Sequence, residues 1–461
     1  MVVNGNSARR VSSPRMVRGD DVAGRPAAMG ASPNGNRSSA QDRAGPRRLG
    51  ALRVVGLRLA MLAAASLGAG PAARAAEITI AQFRQRESPV ERELLAAFEA
   101  AHPGVRVRQR EMPASSDVQH QQFVTWLVAG DPSVDVYLID VIWVAEFAAA
   151  GWIRPLDAFL APARRAEFFP SLLRAMTYEG KPFALPRFTE NGLLYYRKDL
   201  VPAPPATWDE LVALAKRHQR PGLAGFVFQG LQYEGLVVNF LEHLWARGGD
   251  VLDERGRAAL HGPAGLSALT FLVDLLHTHR ISPPGVTTYM ERESLQEFLE
   301  GRAVFHRNWA YAWSQVERQD SKVRGRVGVA PLPGAGGRPG AGALGGWNLA
   351  VSRFTRHPEA AWRLVDWLTS GAAQRRKALG EGRIPTLRAL YADAEVLRAN
   401  PHLAVLRTLL PAARPRPVSP FYPRLSGILQ GYLSRALART TTPQDALAGA
   451  AAELDRALPR P

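Results

Sequence analysis

The sequence predicts an α/β protein of two lobes with an appended helical segment, and three observations carry that prediction. A strand–helix–strand–helix order opens the folded part of the chain after residue 77. The same order restarts near residue 191. Between them, Val134-Asp-Val-Tyr-Leu-Ile139 is a near-continuous apolar run, as expected of a strand covered on both faces of a parallel sheet. A length of 461 residues fits two or three domains at roughly 150 residues each.

Element by element, Ile78-Thr-Ile-Ala-Gln-Phe83 reads as the first strand. Ser88-Pro-Val-Glu91 is a capping box with Pro at the first helical position, and Val90, Leu94, Phe98 and Ala101 recur at helical spacing behind it. His102-Pro-Gly ends that helix. Val105-Arg-Val-Arg-Gln alternates as a strand, and a helix over about 117–129 stops before Gly130-Asp-Pro. Gly151-Trp-Ile-Arg-Pro-Leu-Asp turns the chain out of the next helix. In the second half, Asn191–Tyr196 and Gly225–Gln229 read as strands, and Thr207-Trp-Asp-Glu210 as another capping box. Helices follow at about 235–247 and 264–279, then short strands at Val304-Phe-His and Val327-Gly-Val-Ala. Gly334 to Gly346 holds seven Gly and no Lys, which reads as a loop and not as a phosphate cradle. Two helices near 357–379 and a helical tail complete the chain. The last helix is introduced by Thr442-Pro-Gln-Asp and carries Leu447, Ala451, Leu454 and Leu458 on one face.

Composition narrows the function. There is no cysteine, which removes disulfides, thiolate metal sites, Cys nucleophiles and thioether lipid anchors. The formal charge is +17, but residues 1–75 hold 12 Arg against 3 acids, so over half of the excess lies in a leader. The leader begins with a stretch poor in bulky apolar residues and continues with Arg47, Arg48, Arg53 and Arg58. Then come the short apolar run Leu59–Ala73 and the small-x-small site Ala73-Arg-Ala75. That order is a secretory signal cleaved after Ala75, since the run is shorter than the roughly 20 residues a spanning helix needs. Its length makes Met16 or Met29 an alternative start, and Arg47-Arg48 hints at twin-arginine export. The mature chain is expected to be soluble in a bacterial periplasm, without a lipid anchor.

No nucleophile elbow, zincin helix, EF-hand loop or dinucleotide fingerprint is present. His277 and His279 are the one close His pair, but residues two apart on a helix face different ways; the other His read as surface or capping residues. No stripe of Lys/Arg interleaved with aromatics suggests nucleic acid. What stands out is aromatic and acidic residues where the chain turns: Asp140-Val-Ile-Trp143, Arg307-Asn-Trp-Ala-Tyr-Ala-Trp313 and Gly345-Gly-Trp-Asn348. Any single Trp is readily a core plug. As a set they suit carbohydrate, which offers an apolar C–H face to a ring and hydroxyls to carboxylates and Arg. Asp140 and Glu190 fall at strand ends, where open α/β sheets bind ligands.

On these residues the chain resembles the extracellular solute-binding proteins of bacterial ABC sugar importers, in the maltose/trehalose-binding group. The matching runs include Phe98-Glu-Ala-Ala-His-Pro-Gly-Val, Val136-Tyr-Leu-Ile-Asp-Val-Ile-Trp, Leu185-Pro-Arg-Phe-Thr-Glu-Asn-Gly-Leu-Leu-Tyr-Tyr, Gln232-Tyr-Glu-Gly-Leu and Pro417-Val-Ser-Pro-Phe-Tyr-Pro. Together with Gly151–Asp157, Arg307–Trp313 and Leu344–Trp347 they cover nearly all of 77–440 in order. The resemblance implies a type II periplasmic-binding-protein fold whose hinged lobes clamp a sugar between them. One lobe is expected over 77–187 and 331–382, the other over 188–330 and 383–461. It also implies ligand contacts at Glu87, Ser115, Asp140, Phe188, Glu190, Glu234, Trp309, Tyr311, Gly346, Trp347 and Arg416. Arg187 and Phe188 depart from the pattern, which often has an aromatic and a phenol there. The implied protein has no catalytic residue, cofactor or metal. It works as a monomer that binds a disaccharide such as trehalose or maltose and hands it to the transmembrane permease subunits. Two rival readings are the same fold carrying a polyamine, an organic acid or glycerol phosphate, and a secreted glycoside hydrolase that uses the paired carboxylates.

Overall fold

The computed structural model describes residues 76–83, 88–113 and 115–458; the leader expected over 1–75 lies outside the described residues. Among the described residues no helix is long and apolar enough to cross a membrane. The strands, in chain order, are β1 (Ala76–Phe83), β2 (Val105–Met112), β3 (Val136–Asp140), β4 (Thr177–Tyr178), β5 (Lys181–Pro182), β6 (Leu185–Arg197), β7 (Ala224–Val227), β8 (Ala303–Trp309), β9 (Val327–Ala330), β10 (Ala343–Val351) and β11 (Arg414–Pro415). β4 and β5 pair only with each other. The main sheet runs β2-β1-β3-β10-β6-β8-β7, with β11 beside β10 and β9 beside β6.

The parallel sheet expected from the strand–helix order is half of what forms. β1 is parallel to β2 and β3, and β7 to β8. β10, however, is antiparallel to both β3 and β6, and β6 is antiparallel to β8 and β9. Parallel neighbours need a crossover, usually a helix. β10 instead returns from the far half of the chain and slots between β3 and β6 in the opposite sense. The Gly-rich segment expected to be a loop is therefore strand from Ala343 onward.

β6 lies in the middle of the main sheet and changes partner along its length. Its first half, Leu185–Asn191, pairs with β10, and from Gly192 to Tyr196 it pairs with β8. The sequence marks out only its second half. Pro186 argues against a longer strand, but it sits opposite an irregularity where β6 carries one extra residue, Arg187, a place where the missing N–H is tolerated.

Burial divides the interior of the described residues into three clusters, one of which joins Tyr137 and Ile139 of β3 to Leu193 and Tyr195 of β6. Ile78, Ile80, Phe98, Val136, Leu138 and Leu364 fill another, around β1 and β3. The third holds the helices Glu234–Ala246, Pro263–His277, Tyr422–Leu437 and Pro443–Ala457. Glu234–Ala246 is buried at every position, Glu234, Asn239, Glu242 and His243 included. Three helix starts follow the sequence: the hydroxyls of Ser88, Thr207 and Thr442 accept from the amides of Glu91, Glu210 and Asp445. The reciprocal arm of the first capping box does not form, because the Glu91 carboxylate turns inward to Arg187. His243, His306 and His402 are buried rather than on the surface, and His402 holds the N-cap position of the helix Leu403–Leu409 without a side-chain bond to it. Burial drives His306 and His402 down to about 3, so both are neutral at pH 7.

Candidate functional site

A cavity of about 1140 Å³ opens where strand ends and helix starts converge. Phe83, Asp140 and Trp309 end β1, β3 and β8, while Phe188 and Glu190 of β6 and Gly345–Trp347 of β10 form its central strip. Ser116 and Glu234, each the first residue of a helix, border it as well. Ligands of open α/β sheets sit at such carboxyl ends.

Two aromatic groups line the cavity. Trp347 meets Phe83 edge-on at 4.7 Å between ring centroids, and Phe83 meets Phe188 at 6.1 Å. The second group is Trp309, Tyr311 and Tyr233. Two glycines of β10 let the strand pass between them. Gly346 has φ of +139°, and a Cβ there would lie 2.8 Å from the Phe188 carbonyl. A Cβ on Gly345 would lie 3.0 Å from the Trp309 ring. Trp143 and Trp313, which the sequence groups with these rings, do not line the cavity. Trp143 is buried behind Trp347, and Trp313 stacks on His402.

The polar part of the wall is built around Arg416, whose guanidinium is 3% exposed. It donates to Glu234 Oε1 at 2.8 Å and to Asp140 Oδ1 at 3.2 Å. Tyr422 donates to the same Glu234 oxygen at 2.7 Å, and Ser426 donates to the other. Burial works against the Arg416 cation, yet Asp140 and Glu234 hold its pKa above the usual range. Burial pushes Asp140 up to about 6, against the pull of Arg416. Glu291 accepts from Tyr233 at 2.8 Å and from the Trp309 indole N–H at 3.2 Å.

Glu190 accepts from the Tyr311 amide at 3.0 Å and is 6% exposed. Burial raises it from 4.5 to about 7. Between those two values the folded chain keeps a proton that the unfolded chain has released. The stability from this group is therefore complete below about pH 4.5 and lost as pH rises to 7. Glu190→Gln should flatten the melting-temperature profile between pH 5 and 7.5, removing a pH-dependent contribution of up to about 3 kcal/mol. Calorimetric melting of both proteins across that range checks it; parallel profiles would assign the proton elsewhere.

Nine sequence-derived candidates thus meet at one cavity: Asp140, Phe188, Glu190, Glu234, Trp309, Tyr311, Gly346, Trp347 and Arg416. Ser115 does not line it: its hydroxyl caps the helix Ser116–Val128, and Ser116 faces the cavity instead. Glu87 lies outside the described residues. Arg187 points away from the cavity into the protein, donating to both Glu91 oxygens at 2.6 and 2.7 Å. Lys377 joins the same carboxylate at 2.8 Å. Burial alone would raise Glu91, but the two cations overcome it and hold the group at about 2. The sequence does not single out Phe83, Tyr233, Glu291, Glu381 or Arg383, all of which line the cavity. Arg383 lies over the Phe188 ring at 4.6 Å. Tyr233 and Phe83 stand beside recognisable signals; Glu291 and Arg383 carry none.

The arrangement offers flat rings, acceptor carboxylates and three guanidiniums: Arg416 is buried and bound to both Asp140 and Glu234, while the more exposed Arg383 and Arg318 face Glu381 and Asp320. Such a wall binds polar solutes with apolar faces. Known proteins share the whole frame. Maltose-bound T. maritima MalE3 superposes with a TM-score of 0.79 and 43% identity, covering 83% of this chain and 100% of that one. A probable ABC transporter-binding protein of Deinococcus radiodurans is 36% identical over 69% of this chain and 78% of its own length. The mannitol-binding protein of Pseudomonas aeruginosa is 29% identical over 70% and 76% respectively. The two-lobed periplasmic solute-binding fold is therefore the fold of this protein. Residues 82–375 match the model of the bacterial extracellular solute-binding proteins, and with that the chain belongs to this family.

Proposed function

We propose that this protein is the periplasmic ligand-binding component of a bacterial ABC importer, and that its cavity takes a neutral, hydroxyl-rich sugar of about disaccharide size, such as maltose or trehalose. One observation carries the reading: rings and hydrogen-bonding acids share a single cavity while its most buried cation, Arg416, is already neutralised by two carboxylates. Trp309, Tyr311 and Trp347 supply faces for sugar C–H groups, and Asp140, Glu190 and Glu234 accept from hydroxyls. A phosphorylated solute would need free cations; Arg187 is engaged with Glu91, and the cavity-lining Arg318 and Arg383 face Asp320 and Glu381. The lobes divide as 77–187 with 331–382 and 188–330 with 383–461, a boundary that falls on β6 four residues before it passes from β10 to β8. A sugar touching both lobes favours the closed form by its differential contacts and presents the closed surface to the permease subunits. The relatives named for maltose and mannitol support a sugar or sugar alcohol as cargo.

The test is a thermal-shift and calorimetric comparison of the chain from Ala76 with maltose, trehalose, mannitol, spermidine and glycerol phosphate. A sugar at 100 times its Kd should add roughly 2.7 kcal/mol of stability and be recovered unchanged. Stabilisation by spermidine or glycerol phosphate alone would replace the cargo. Release of glucose from maltose or trehalose would point to a hydrolase.

A further inference from the structure

Behind the cavity wall lies an ion pair that the binding surface does not use. Arg307 and Glu242 are 1% and 2% exposed. Arg307 Nη2 and Nε donate to the two Glu242 oxygens at 2.5 and 2.8 Å, and Nη1 donates to Gln229 at 3.1 Å. Neither Arg307 nor Glu242 lines the cavity. A buried ion pair is weak evidence for stability, because apolar residues of equal volume generally serve as well. Its surroundings here point to a geometric role.

The Arg307 guanidinium lies 4.3 Å from the centroid of the Trp309 ring. The edge of that ring is pinned by its indole N–H to Glu291. On the other side of the pair, Glu242 Oε1 accepts from the amide of Ala343, the first residue of β10, at 3.0 Å. The same carboxylate packs so closely on Gly192 that a Cβ there would collide with it. Gly192 is where β6 passes from β10 to β8. One carboxylate therefore fixes the guanidinium under the ring, the start of β10 and the crossing point of β6.

We infer that Arg307 and Glu242 are positioning residues: the pair holds the Trp309 ring in the orientation that stacks on sugar and anchors that ring to the strands joining the lobes. The inference rests on the sugar reading for its binding consequence, but the fixation of the ring does not depend on any ligand. A guanidinium suits the task because it is planar and always charged, so it can stack on a ring while making a bidentate pair. Lysine can keep the charge opposite Glu242 but can neither stack nor pair in a fork.

The test is a double-mutant cycle of Arg307→Lys with Trp309→Ala, read by calorimetric affinity for maltose. A second readout on ligand-free protein is acrylamide quenching of the Trp309 emission, taken as the difference between each protein and its Trp309→Ala counterpart. Arg307→Lys should weaken maltose about tenfold when Trp309 is present and under about twofold when it is absent, the non-additivity expected of coupled neighbours. Quenching of Trp309 should rise at least about twofold. Equal losses in both backgrounds, or unchanged quenching, would overturn the inference. If the wild type binds no sugar, the sugar reading fails alone and the quenching still decides. If Arg307→Lys does not fold, the neutral double variant Glu242→Gln with Arg307→Gln takes its place, with the same readouts supporting or overturning the inference in the same way.

Discussion

Trp309→Ala should lower sugar affinity about 100-fold, roughly 3 kcal/mol, with a loss of fold stability of only about 1 kcal/mol. The asymmetry follows from where the ring sits. It is half-buried at the end of β8, with its environment divided between the cavity and the Arg307 guanidinium. Truncation removes the face offered to the sugar but opens into space already continuous with the cavity, so no sealed void is left. Arg307 keeps Glu242 and Gln229 as partners, so no buried charge is stranded. Calorimetric titration alongside thermal melting separates the two quantities. A variant that binds as tightly as wild type would remove Trp309 from the site.

Arg416→Met should act on binding and stability together, and its effect should grow with pH. The guanidinium pairs with both Asp140 and Glu234, the first at the end of β3 and the second at the start of a buried helix. Removing one partner from a buried ion network costs about 3–5 kcal/mol, because the remaining charge is left uncompensated. The sign with pH is fixed by Asp140. Its folded value of about 6 already exceeds the ordinary 3.8, and Arg416 is what holds it down. Without Arg416 the value climbs further, so the carboxyl loses more folding free energy as pH rises through the window above 3.8. The variant's melting temperature should therefore fall more steeply than wild type from pH 5 to pH 8, with sugar binding undetectable at pH 8. A loss of equal size at both pH values would show that Asp140 does not answer to Arg416.

Much of this architecture is legible in one dimension because its causes are local. The caps at Ser88, Thr207 and Thr442 are set by a hydroxyl and an amide three residues on. Asp140 and Trp347 can be marked because each stands where an apolar run gives way to a turn or to glycines. The strand order is hidden, since nothing local in Ala343–Val351 says that it will insert between β3 and β6 in the opposite sense. Glycines there read as loop, although they serve a strand pressed against the Phe188 carbonyl and the Trp309 ring. Arg187 looks in sequence like a residue that could tune sugar preference, and its irregular position on β6 turns it toward Glu91 instead. Glu242 and Arg307, 65 residues apart, become partners only through the tertiary fold.

A strand that runs through both halves of one sheet leaves little slack. β6 keeps ladder partners on both sides of Asn191 and Gly192, so the halves of the molecule cannot drift apart as tethered bodies do on a flexible linker. With further chain crossings near residues 330 and 382, their relative freedom reduces to twisting and bending about a few adjoining backbone segments. A guest that shut such a pair would give up less disorder than one gathering freely tethered bodies, and less of its contact energy would be lost that way.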